Sequence, residues 1–145
     1  MKKLIPFAAI LLTFACNTND TPKEPEVPVK PENGMEAALQ FIRAALDGDY
    51  TKAKTFLIND STNKQTIDRY ENYYVNSRTP EQKKAFKTAS IRFLKDTHPV
   101  NDSVTIVHYS NSSSNTPDSL KVVKINGKWF IDLNFIFRPK DSILK

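Results

Sequence analysis

The chain has 145 residues, 39% of them hydrophobic and 26% charged, and carries a formal net charge of +5. That length suits one domain, and the composition is that of an ordinary folded soluble protein. One cysteine excludes an intrachain disulfide, and three glycines exclude a Gly-rich phosphate cradle.

The charge divides by segment. Residues 1–16 carry +2, residues 17–34 carry −2 and residues 35–145 carry +5. The folded part is therefore mildly basic, which speaks to solubility before it speaks to a partner. Met1-Lys2-Lys3 is a short positive start, and residues 4–15 are apolar apart from Pro6 and Thr13. This is the pattern of a secretory signal. Its apolar run is far shorter than the ~20 residues a membrane-spanning helix needs.

The signal ends in Leu12-Thr13-Phe14-Ala15-Cys16, and a Pro-rich stretch follows at once. The small residue followed by Cys resembles the lipobox of bacterial lipoproteins, in the relaxed form found among Bacteroidota. The resemblance implies cleavage after residue 15, a diacylglyceryl thioether on Cys16 and commonly a third acyl chain. Each buried methylene contributes ~0.8 kcal/mol, so two or three chains hold a protein on a bilayer. Cys16 is then an anchor, the bilayer a partner, and the outer membrane the expected site, with the domain in the periplasm or at the cell surface. Residues 16–34 form the tether. Val27 and Val29 are the only apolar side chains in 17–34, and four prolines deny it helix and sheet donors. Such a spacer reaches at most ~3 Å per residue.

Residues 35–145 form the expected domain. Met35, Ala38, Leu39, Ile42, Ala45 and Leu46 recur at helical spacing over 35–47, with Gln40 and Arg43 facing away. Gly48 stops this helix and Asp49 caps a second over 50–57. A third over about 63–77 places Ile67, Tyr70, Tyr74 and Val75 on one face. Thr79-Pro80-Glu81-Gln82 fits a capping box that starts a short basic helix to about Thr88. Beyond Ser90 the period changes to two. Strands are expected over 91–97, 104–109, 120–125 and 128–133. Asn126-Gly127 is a hairpin signal, and the Ser/Asn-rich 110–118 a longer hairpin connection. The expected fold class is α+β, with N-terminal helices packed on an antiparallel sheet of about four strands.

Two stretches carry a resemblance. AALQFIRAALDGDYTKAKTFL joins two helices through Gly-Asp, and LKVVKINGKWFID is a hairpin containing Gly-Lys-Trp. Over residues 36–134 these resemble the NTF2-like superfamily, and within it the DUF4878 type of small lipoprotein. The resemblance implies a cone in which a curved sheet wraps the helices, often around a cavity. The long Ser/Asn loop and the missing acidic residues depart from the enzymes of that superfamily.

No metal, nucleophile-elbow or phosphate-loop motif is present, and neither metal nor cofactor is expected. His98 precedes Pro99 in an expected turn. His108, in mid-strand, is a candidate general base if Asp132 or Asp102 comes within reach. Tyr70, Tyr73, Tyr74, Phe86, Phe93 and Trp129 are either pocket lining or core; Tyr70, Tyr74 and Trp129 are the ligand-binding candidates. Lys83, Lys84, Lys87, Arg92 and Lys95 cluster in sequence, but the stripe is too thin for nucleic acid, which is not expected as a partner. Four Asp-Ser-X triplets make Ser61, Ser103, Ser119 and Ser142 candidate O-glycosylation sites; equally, Asp-Ser caps and turns well. The leading expectation is a non-enzymatic envelope lipoprotein that binds a small ligand or a partner protein. A cavity-based hydrolase or isomerase and an assembly factor of an envelope complex are the alternatives.

Overall fold

The computed structural model describes residues 30–95 and 97–135. The signal segment, Cys16, the tether up to residue 29, and residues 136–145 with Ser142 lie outside the described residues. Among the described residues, four helices come first: α1 Gly34–Asp47, α2 Tyr50–Thr55, α3 Ser61–Ser77 and α4 Pro80–Lys87. Five strands follow: β1 Ile91–Phe93, β2 His98–Asn101, β3 Val104–Asn111, β4 Asp118–Ile125 and β5 Lys128–Asp132. The class is α+β, with an open antiparallel sheet.

Each helix starts on a side-chain cap. Asn33, Asp49, Asp60 and Thr79 accept from backbone N–H groups one turn on, satisfying donors that a helix start leaves orphaned. The Thr79/Gln82 capping box forms as read. α1 ends at Gly48, whose φ of 78° is left-handed. A Cβ there would come within 2.6 Å of the Tyr74 ring, so both conformation and space demand glycine.

The buried stripe of α1 is turned from the expected one. Gly34, Ala37, Ala38, Phe41, Ile42 and Ala44 are buried. Met35 and Leu39 are 42% and 40% exposed. Both stripes have helical spacing, and the small side chains of Gly34, Ala37 and Ala38 let α1 lie close on the sheet. Gly34 is pressed so near Thr105 and Trp129 that a Cβ would sit 3.2–3.3 Å from them. Arg43 does not face away either. Its guanidinium donates to the carbonyls of Phe86 and Ala89 at 2.9 and 2.8 Å and holds the end of α4.

The sheet order is β1-β3-β4-β5, with β2 also on β3. The strand expected over 91–97 ends at Phe93, where the chain leaves the ladder, and a further strand, β2, follows it. Thr97 patches the gap: its hydroxyl donates to the His108 carbonyl and accepts from the His108 N–H. β2 then resumes pairing with β3. His98 therefore lies in a strand, not a turn, and Pro99 is tolerated because this strand is at the edge. The β4–β5 hairpin turns on Asn126 and Gly127, with φ of 50° and 74°. Both are positive, as a type I′ turn requires.

The core lies between α1 and the inner sheet face, with Ala37, Ala38, Phe41, Val107, Leu120, Val122 and Ile131 in one cluster. α3 joins it through buried Ile67, and Tyr74 packs half-buried against it. Past α2 the chain runs beside β5, where Ile131 N–H donates to the Phe56 carbonyl at 2.8 Å and Ile58 N–H to the Ile131 carbonyl at 3.1 Å. That covers part of an otherwise open edge. Buried Asn63 completes the join: its amide donates to Asp60, and its Oδ1 accepts from Leu133 N–H, both at 2.6 Å.

Gly48→Ala costs roughly 1–2 kcal/mol for the left-handed backbone alone, and more because Tyr74 must move. The urea midpoint falls with the slope unchanged. A midpoint equal to that of the parent contradicts the assigned turn.

Candidate functional site

The helices do not cover the inner sheet face completely. The buried residues of α3 are Asn63, Thr66 and Ile67, all in its first half. α4 buries none. The second half of α3, which meets the core through Tyr74, and α4 form a wall, and between wall and sheet lies an open cleft of about 650 Å³.

Its floor is apolar, with Phe41, Ile42, Leu46, Leu120 and Leu133. Its walls are aromatic. Tyr70, Tyr73 and Tyr74 come from α3, Phe86 from α4, Tyr109 from β3 and Tyr50 from the start of α2. Tyr70 and Tyr73 are 53% and 54% exposed, so neither belongs to the core. Tyr74 is half-buried, tilted against Tyr50 at 5.7 Å between ring centroids and fixed from behind by Gly48.

Polar groups sit around this surface. Tyr109 donates its hydroxyl to Asp118 at 3.1 Å. Burial pushes the Tyr109 phenol well above its usual range, and the Asp118 carboxylate adds to the effect. Burial likewise pushes Tyr50 up to about 12, helped by Tyr74 and Glu71. Arg78, at the α3–α4 junction, lies over the rings of Tyr73 and Phe86 at 4.9 and 4.7 Å. Lys83 donates to the Val75 carbonyl at the end of α3 and sits over Tyr74.

The structure thus gathers Tyr70, Tyr73, Tyr74 and Phe86 on one cleft, and leaves Phe93 and Trp129 elsewhere. Trp129 is at the start of β5, where its Nε1 donates to the Glu32 carbonyl and Lys124 lies over its ring. It pins the entry to α1 and does not line the cleft.

His108 and Asp132 do not form a pair. Val107 points into the core, so His108 beside it points to the outer face. His108 is 5% exposed, with Nδ1 2.7 Å from Ser119 Oγ and its ring stacked near His98. Asp132 is bound by Lys121 Nζ at 3.2 Å. Strand β4 separates their strands, which places the two backbones about 10 Å apart. Period-two reading identified the strands, but pairing order was needed to see this. Asp102 is exposed in the turn between β2 and β3.

The Asp-Ser triplets divide. Ser61 opens α3 behind its Asp60 cap and is exposed, and Ser103 is exposed beside Asp102. Ser119 lies half-buried in β4, with its hydroxyl on His108, so it is poorly placed as a glycan acceptor. Ser142 lies outside the described residues. Sequence reading missed Arg78, Tyr109 and Asp118 as cleft residues. Tyr109 and Asp118 are cross-strand partners, and Arg78 sits between two helices; no motif marks either relation. Among the described residues, no three His, Cys, Asp or Glu side chains gather as a metal site, and no helix is long and apolar enough to cross a membrane.

Tyr50 yields an alkaline prediction. Its folded pKa is raised from 10.0 to about 12, so its contribution is full below pH 10 and is lost as pH rises toward 12. Tyr50→Phe shows a smaller loss of stability over that window, read as urea midpoints below pH 10 and near pH 12. An unaltered loss contradicts the buried phenol.

No protein-family model, no curated protein and no solved structure matches this chain.

Proposed function

We propose that the protein is an envelope lipoprotein, anchored through acylated Cys16, whose NTF2-like domain binds a small apolar ligand in the cleft between its helices and sheet. One observation carries the ligand-binding half: an open space of about 650 Å³ with an aliphatic floor and aromatic walls. Its volume is within the range of small-molecule sites, which are concave, mostly apolar and lined by a few placed polar groups. Tyr70 and Tyr73 on α3 leave 53% and 54% of their surface open beside the cleft. A ligand seated among them buries that surface, at roughly 25 cal/mol per Å².

The anchoring half rests on the Ala15-Cys16 junction and the Pro-rich residues behind it. The domain then works within reach of a membrane that is itself a source of apolar molecules. The acid–base alternative draws no support from His108, which is held by Ser119 on the outer sheet face.

Each half has its own test. N-phenylnaphthylamine, a neutral dye that brightens in apolar surroundings, binds the wild-type domain. Ala45→Trp fills the cleft from α1 and abolishes that binding while the fold is kept. Equal binding by the two proteins contradicts the cleft reading. Cys16→Ser moves the protein from the membrane to the soluble fraction; its retention on the membrane contradicts the anchor.

A further inference from the structure

We infer that Arg78 is an anion-binding group, and that the cleft's ligand is an apolar molecule ending in one carboxylate. This rests on the cleft reading above and adds the ligand's charge.

The inference comes from which charges around the cleft are already matched. Asp118 accepts from the Tyr109 hydroxyl at 3.1 Å and from the Ser119 N–H at 2.7 Å. Asp132 is engaged by Lys121 Nζ at 3.2 Å and by the Asn134 N–H at 3.1 Å. Lys83, the other cation near these rings, donates to the Val75 carbonyl and does not line the cleft. Arg78 is different. Its contacts are the rings of Tyr73 and Phe86, and among the described residues no carboxylate lies within ion-pair distance of it.

Stacking on rings uses the face of a guanidinium and leaves its in-plane N–H groups unspent. Those groups form a rigid fork that matches a carboxylate two to two. The rings also fix the fork in place, so little side-chain freedom is lost when an anion arrives. Arg78 sits half-buried among the wall aromatics, so a ligand that lays its body on the floor presents its end to the fork. A single charge suits the site better than a phosphate dianion, because Asp118 lines the same cleft.

Calorimetry with β-naphthoate and its neutral isostere β-naphthamide tests this on the full domain. Wild type binds naphthoate about tenfold more tightly than naphthamide, the ratio expected for one charge-assisted contact. Arg78→Gln weakens naphthoate about tenfold more than it weakens naphthamide, so the ratio of the two affinities falls to about one. Arg78→Lys keeps part of the preference, since it holds the charge and loses the fork. Equal affinities in wild type, or a preference that survives Arg78→Gln, overturn the inference. If N-phenylnaphthylamine binds while naphthoate gains nothing over naphthamide, the anion site falls and the cleft reading stands. If none of the three binds, both fall.

Discussion

The domain depends on the close seating of α1 across the inner face of the sheet. Gly34, Ala37 and Ala38 bring the helix backbone near β3 and β5, and Phe41 drives into the cluster with Val107, Leu120, Val122 and Ile131. Each fully buried side chain of this size contributes about 1.5–3 kcal/mol. The ends of α1 are fixed separately. Trp129 holds the entry through the Glu32 carbonyl, and Gly48 turns the exit sharply enough for α2 to begin at Tyr50.

The cleft follows from that seating. One helix cannot cover the whole inner face, and the fully buried residues of α3 all lie near its start, where Asn63 ties it to Leu133 and Ile67 is buried. Breaking that tie leaves the part-buried Leu133 N–H without its partner, at a cost of about 1 kcal/mol. Beyond it, α3 is held by Lys54, which bridges Asp68 and Glu71, and by Tyr74 against Gly48 and Tyr50. Such exposed ion pairs are worth little each. The wall of the cleft is thus less firmly fixed than its floor, a division that fits the proposed entry of a ligand.

Much of this organisation was legible in the residues. Caps at Asp49 and Thr79, the stop at Gly48 and the turn at Asn126-Gly127 act through nearest neighbours, so sequence alone announces them. The change of period near Ser90 separated helices from strands. What failed depended on distant partners. The stripe that spacing predicts for α1 lies a fraction of a turn from the buried one, because Met35 and Leu39 are as apolar as the residues that go inside. The break between β1 and β2 rests on one hydroxyl, Thr97, meeting both polar groups of the His108 backbone. The tyrosines were recognised as a group, but whether they filled a core or faced an opening depended on how far α3 leans from the sheet. Residue type alone pairs His108 with Asp132, whereas strand order sets β4 between them.

The claim at the centre is that a ligand enters between the second half of α3 and the sheet. Intermolecular nuclear Overhauser effects from bound N-phenylnaphthylamine to methyl groups locate it directly. Contacts are expected to Ile42, Leu46, Leu120 and Leu133, which line the cleft, and none to Val100 or Ile125, which are exposed elsewhere on the sheet. Contacts confined to Val100, Ile125 or the outward-facing Val75 contradict the assignment.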